Sequence, residues 1–370
     1  MRFTFILFSI FILIPKCNAY EFLIEKNIKI PKLSDFKASE LCTVGENTQH
    51  YLNNFPEDEF AVHSGTVFNE YVTLERVIKT LDFICNTYRE DVESKRQSRL
   101  HNSEFIKENF DLYSWMPDKK KAKEIANKSN NKIKSRLLNG IPVDKIFLTK
   151  YYTKLLEASD VRTDKHTQAL YALPEDEKLL SATESSLVKS QLTRYKYTRQ
   201  DIVSGALLDK KLARPLIWLS EEALHDVLLQ GTGVVNVNGT TRYFNVHRNN
   251  GIAYNYSIGK REQPRYWYFI EVPSIMGYGE EQENKIAIKS QVTFAGNVKQ
   301  LGLGKLFMVS YARDKETISR IGVLADQGGA FDGNLFQLDM LVDSYKGWND
   351  YHQANKNLPD YAKAWLMLVK

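Results

Sequence analysis

Four aspartates stand among leucines, phenylalanines, glycines and a methionine in the segment LADQGGAFDGNLFQLDMLVD, residues 324–343: Asp326, Asp332, Asp339 and Asp343. A carboxylate is costly to bury unless it is paired, hydrogen-bonded or protonated. Read as a strand, LFQLDMLVD puts Phe336, Leu338, Met340 and Val342 on one face, and Leu335, Gln337, Asp339, Leu341 and Asp343 on the other. Gln337 and Asp339 then lie side by side on a half-buried surface, which suits a cleft lined with hydrogen-bonding groups. The plainer alternative is an Asp339 that faces bulk water. Asp326 ends the stretch SRIGVLAD before a flexible QGG, where a turn-capping aspartate is the plainer alternative. Desolvation and like charge both raise a carboxyl pKa, and a raised pKa is what a general acid needs near neutral pH.

Other chemistries find no footing. The seven histidines are scattered, and none forms the i, i+4 pair of a metalloprotease helix. FDGN has Gly328 and Ala330 where the preceding ligands of a calcium loop belong. GLGK at 302–305 is followed by Leu306, so it is not a phosphate loop, and no G-x-S-x-G elbow occurs. Neither a metal nor a cofactor is expected. Carboxylate chemistry remains.

The N-terminus reads as a secretory leader, residues 1–19: Arg2, an apolar core from Phe3 to Ile14, and CNA as a cleavage site after Ala19. The apolar run is short for a permanent anchor. Lys16 before Cys17 argues against lipid attachment. The expectation is therefore a soluble mature protein in the periplasm or cell envelope, without a stable membrane span. Cys42 and Cys85 are the cysteines that survive cleavage; a disulfide and two buried thiols both remain open. Roughly 350 residues is long for one core, so two domains are expected. The chain carries formal charge +5. Its basic residues are dispersed except in PDKKKAKEIANKSNNKIKSR, 117–136, read as a solvated helix or linker, or as a surface drawn to an anionic envelope polymer. No nucleic-acid module accompanies it.

The elements that must position the aspartates fall into two styles. Residues 20–140 look largely helical: Val72, Val77, Leu81, Ile84 and Cys85 have helical spacing in 71–88, and Phe105, Ile106, Phe110 and Leu112 predict a short helix in 103–118, stopped by Pro117. From about 145 strands dominate. KIFLTKYYTKLL and RYWYFIEV read as strands, GVVNVNGTTRYFNV as a hairpin turning at Asn238-Gly239, and YTRQDIVSGALL and LSEEALHDVLLQ as short helices, the latter capped by Ser220. After 280, KIAIKSQVTF, KLFMVSYA, SRIGVLAD, LFQLDMLV and AWLMLVK suggest a barrel or sandwich.

These residues resemble the membrane-bound lytic murein transglycosylase A family and its C-terminal three-aspartate domain. ADQGGAFDG supplies Asp326, LFQLDML supplies Asp339 and YKGWNDYH supplies Asp350. Upstream, FLTKYYTKLLEAS followed by ALYALP resembles the family's Phe-Thr-Gly-Tyr-Tyr and Pro-Leu-Tyr stretches. QGTG, with Gln230, Gly231 and Gly233, resembles its Gln-Gly-Ser-Gly motif, and NNGIAYNYSIG its Asn-Gly-His-Pro-Tyr-x-Ser-Ile-Gly stretch. The resemblance covers roughly 145–370, in the family's order. Asp332 stands where the family has lysine, Ile252 and Ala253 replace its His-Pro pair, and Thr293 replaces an aspartate.

The resemblance implies a mainly β fold with a helical N-terminal region: a double-psi β-barrel built from 20–149 and 276–370, with a second β-rich domain inserted at 150–275 and a glycan groove between them. It implies cleavage of the bond between N-acetylmuramic acid and N-acetylglucosamine without water, leaving a 1,6-anhydro end. Asp339 becomes the single acid/base, with Asp326 and Asp350 in support. Thr149, Tyr151, Gln230, Gly231, Gly233 and Gln337 become groove residues, and peptidoglycan strands the partner of a monomer. Asp343 and Asp332 are expected to be surface acids. A non-catalytic glycan-binding barrel and a hydrolytic muramidase remain as alternatives.

Overall fold

The computed structural model describes residues 20–279, 282–328, 331 and 333–370. The predicted leader with Cys17, and Asp332, lie outside them. Six strands close into a barrel in the spatial order Tyr361–Val369, Leu306–Arg313, Glu316–Asp326, Thr293–Ala295, Gln337–Tyr345 and Ile146–Glu157. The last pairs back onto the first through Ile146 and Phe147. Two pairings are parallel, Thr293–Ala295 with Glu316–Asp326 and Gln337–Tyr345 with Ile146–Glu157; the others around the ring are antiparallel. Closure encloses an apolar interior that includes Phe294, Phe307, Leu338, Met340 and Leu366. This is the barrel the resemblance implies.

The N-terminal region is helical where its spacing is clean. Helices Ala38–Asn54 and Leu74–Glu93 pack on each other and onto the barrel, joined by a Cys42–Cys85 disulfide. Thr73 caps the second through Arg76, and Val77, Leu81, Ile84 and Cys85 are buried. The expected helix over 103–118 is corrected: it ends at Asn109, and Phe110–Met116 is a strand. Beyond its contact with Ile146–Phe147, the C-terminal strand presents a free edge, and Phe110–Met116 pairs along it, with Glu21–Ile24 on its other side. Ladder bonds to distant segments outweigh the local helical spacing. KIAIKSQVTF also differs, giving two short strands, Ala287–Ile288 and Thr293–Ala295.

Ile146–Glu157 serves two sheets. Its first part lies in the barrel, while Leu155–Glu157 pair in parallel with Thr232–Val237. That strand continues through a hairpin to Thr240–Asn249 and then to Trp267–Val272. The hairpin turns at Asn238 and Gly239, with φ 51° and 86°, both left-handed as the Asn-Gly pair permits. Gln168–Pro174 and Ala213–Leu219 form a further antiparallel pair. Together with the Ser220-capped helix Glu221–Gln230, these strands enclose a second apolar core, including Leu170, Ile217, Val235, Phe244 and Phe269, separate from that of the barrel.

The basic run forms helices Lys119–Lys128 and Lys132–Asn139. They turn Ala122, Ala126 and Leu138 inward against Phe147 and Phe336 and leave most of their lysines in solvent. Lys305 of GLGK is fully buried and donates to the His63 and Leu303 carbonyls at 3.1 and 3.3 Å, so it ties a loop to the barrel. Burial lowers its pKa to about 7. Among the described residues no helix is long and apolar enough to cross a membrane.

Candidate active site

The two aspartates are brought together by register. Ala295 pairs with Asp326 on one side and Asp339 on the other, and Asp339 pairs in turn with Thr149. Asp326, Ala295, Asp339 and Thr149 thus lie in a row across four strands. Two strand spacings, roughly 10 Å, separate the backbones of the acids. A register shift at Phe294/Ala295 sets Asp326 opposite Ala295. Around Asp339 the strand alternates as its sequence predicts: Phe336, Leu338, Met340 and Val342 are buried, Gln337 and Asp339 half-buried, Asp343 exposed. Leu335 and Leu341, on the face with Gln337 and Asp339, are buried as well.

The acids have different partners. Asp326 Oδ2 accepts from the Tyr151 hydroxyl at 2.7 Å, and Oδ1 from the Gln327 N–H at 2.8 Å. Asp339 Oδ1 is shielded from solvent and has no hydrogen-bond partner. A buried carboxylate oxygen left this way favours the protonated form. Burial pushes the Asp339 pKa up to about 7; the Thr149 hydroxyl pulls it down, the Asp326 charge pushes it further up, and Lys150 lowers it. Burial likewise raises Asp326 to about 6, against the Tyr151 and Gln327 hydrogen bonds and the Lys285 charge, which lower it. Tyr151 itself is raised well above its ordinary range, by burial first and then by Asp326. Gln337 Nε2 donates to Thr149 Oγ1 at 2.6 Å, and Asn334 Nδ2 to Gln337 Oε1 at 2.9 Å, so the polar groups flanking Asp339 are held in place.

A cavity of about 800 Å³ adjoins this row. Barrel-side residues Tyr151, Asp326 and Gln327 line it, facing Gln230, Gly231 and Asn245 of the inserted strands and helix, with Phe60, Tyr278 and Lys285 alongside. Gln230 Oε1 accepts from the Lys154 N–H, and Gly231, at φ 75°, ends its helix in the left-handed conformation glycine tolerates. Asp339, Thr149 and Gln337 lie beside Asp326 and Tyr151, not on the cavity wall.

Two expected site residues are not brought here. Gly233 is buried in the inserted core, where an added Cβ would meet Val227 at 3.3 Å. Its small size serves packing. Asp350 lies in the first turn of helix Trp348–Asn355, exposed, and accepts from the Lys346 N–H at 3.1 Å. A carboxylate there favours the helix N-terminus and needs no catalytic role. Thr293, where the family has aspartate, is fully buried and donates to the Lys289 carbonyl. Sequence reasoning missed Lys285, Asn245, Phe60 and Tyr278; they come from separate stretches, and no spacing links them.

The Tyr151–Asp326 bond can be tested alone. Tyr151→Phe removes one of two donors that favour the ionised carboxyl. Asp326 should then titrate about one pH unit higher, read by side-chain carboxyl NMR. An unchanged titration would show that the hydroxyl does not tune it.

The fold has counterparts among known proteins. Residues 147–264 match the family model described as the MltA specific insert domain. No curated protein matches the chain by sequence. The fold is similar to that of E. coli MltA with bound chitohexaose, with TM-score 0.50, 13% identity, and 95% of this chain and 94% of that one covered. It is similar to the membrane-bound lytic murein transglycosylase of Agrobacterium tumefaciens, with TM-score 0.51, 13% identity and 92% and 97% coverage. It is similar also to MltA of Neisseria gonorrhoeae, with TM-score 0.53, 13% identity and 95% and 93% coverage. Residues 147–264 thus match the MltA specific insert domain, and the fold that carries them is similar to that of these lytic transglycosylases.

Proposed function

We propose that the protein is a peptidoglycan lytic transglycosylase that cleaves the MurNAc–GlcNAc β-1,4 bond and leaves a 1,6-anhydro-MurNAc end, with Asp339 as the single acid and base. The observation that carries this reading is the pairing of unequal acids. Asp326 has both oxygens engaged by protein donors, whereas Asp339 has a shielded, unpartnered oxygen and a pKa of about 7. One group is fixed in place, and the other is free to carry a proton.

A hydrolytic glycosidase needs a second carboxylate to attack carbon or to activate water. A transglycosylase does not. Protonated Asp339 gives its proton to the glycosidic oxygen as the bond from that oxygen to the muramyl anomeric carbon breaks. The muramyl C6 hydroxyl then bonds to that carbon, and its proton returns to Asp339. No water enters, and Asp339 ends as it began. The nucleophile is tethered to the reacting ring, which gives it an effective concentration of roughly 10⁵–10⁸ M when aligned. Tyr151 and Gln230 on the cavity wall supply donors and acceptors for sugar hydroxyls and acetamides, with the hydrogen-bonded Gln337–Thr149 pair beside Asp339. The cavity between barrel and insert has room for a glycan, and the E. coli MltA of similar fold was solved with chitohexaose bound. The leader-like N-terminus fits an enzyme that meets peptidoglycan in the envelope.

Purified protein incubated with sacculi should release soluble glycan fragments continuously. Binding to sacculi without any release would replace this reading with that of a glycan-binding barrel.

A further inference from the structure

We propose that Lys285 is a specificity residue that receives a carboxylate of the glycan in the cavity beside Asp326. Among the described residues that line that cavity, Lys285 is the one cation. Its Nζ donates to Asn245 Oδ1 at 3.1 Å, and Asn245, only 3% exposed, donates from Nδ2 to Thr232 Oγ1 at 3.1 Å. The ammonium is therefore held by one buried side chain, Asn245, which Thr232 fixes in turn. Among the described residues no carboxylate lies within ion-pair distance of it. Asp326 acts on it only through space, which supports its charged form against the effect of burial. A half-buried ammonium has three donors, and the Asn245 bond uses one. The remaining donors suit an anionic acceptor, and a charge-assisted bond there would be stronger than one to a sugar hydroxyl.

This rests on the proposed peptidoglycan reading, since chitin-type glycans carry no carboxylate and muramyl glycans do. Two sources share that chemistry. In a peptide-free strand the lactyl carboxylate of each muramyl residue is free. In a peptide-bearing strand it is amide-linked, and the carboxylates belong to the stem.

The test measures affinity by calorimetry in the Asp339→Asn background, for chitohexaose, a peptide-free muramyl hexasaccharide and its peptide-bearing counterpart. Lys285→Met should weaken at least one muramyl ligand roughly tenfold or more and leave chitohexaose within about twofold, with Lys285→Arg restoring most of the loss. Loss confined to the peptide-free ligand assigns the lactyl group, and loss confined to the peptide-bearing one assigns the stem. Equal weakening of chitohexaose would overturn the proposal, because Lys285 would then only brace Asn245. Unchanged affinity for all three would overturn it too. Failure of the catalytic reading would appear separately, as product formation by the Asp339→Asn protein.

Discussion

Asp339→Asn is expected to leave a folded protein whose release of glycan from sacculi falls roughly a hundred- to ten-thousand-fold, the range for loss of a positioned acid or base. The amide keeps the shape of the carboxyl but cannot donate and recover the catalytic proton. The wild-type pH profile should share this origin. Asp339 must start protonated, and its carboxyl titrates at about 7. Activity should therefore decline above about pH 7, by about tenfold per further pH unit. Asp350→Ala is the matching control. Its carboxylate is exposed on a helix N-terminus, so its activity should stay within about twofold of wild type. Initial rates of sacculus solubilisation check all three. Activity retained in Asp339→Asn, or lost in Asp350→Ala, would reverse the assignment.

The same substitution should make the protein more stable at neutral and alkaline pH. Asp339 binds its proton more tightly in the fold, at about 7, than in the unfolded chain, where an aspartate titrates in its ordinary range. Between those values the folded state holds a proton that the unfolded state has lost. Wild-type stability is thus undiminished below the ordinary aspartate range and falls as pH rises through about 7. Asparagine stays neutral throughout and escapes this loss. Urea unfolding should show Asp339→Asn more stable by roughly 2–4 kcal/mol at about pH 8, with the advantage disappearing near pH 4. A difference that does not change with pH would mean that the carboxyl is not held protonated by its burial. Such a gain would locate part of the cost of activity in one unpartnered oxygen.

The site was legible wherever it depended on one local pattern. The alternation from Phe336 to Val342 placed Asp339 and Gln337 together on the more polar face, and Asn238-Gly239 marked its hairpin because few other pairs accept two left-handed residues in succession. What depended on partners far along the chain was not legible. Phe110–Met116 is a strand because Tyr361–Val369 offers it an edge some 250 residues later, and nothing in its own spacing announces that edge. Asp326 meets Asp339 through Ala295, one residue beyond the stretch KIAIKSQVTF that read as a strand, and nothing in that stretch names its two neighbours. Asp350 follows the motif order yet sits at a helix terminus, because sequence order does not fix where a loop delivers its side chain. Lys285 and Asn245 meet only because the insert folds back over the barrel.

In the proposed reaction one aspartate cleaves the glycan without water. Digesting sacculi in water enriched in heavy oxygen, and weighing the released muramyl ends by mass spectrometry, tests it most directly. Attack by the C6 hydroxyl should give ends one water lighter than free reducing sugars, carrying no heavy oxygen. Reducing ends labelled with heavy oxygen at the anomeric position would contradict it and identify a hydrolase.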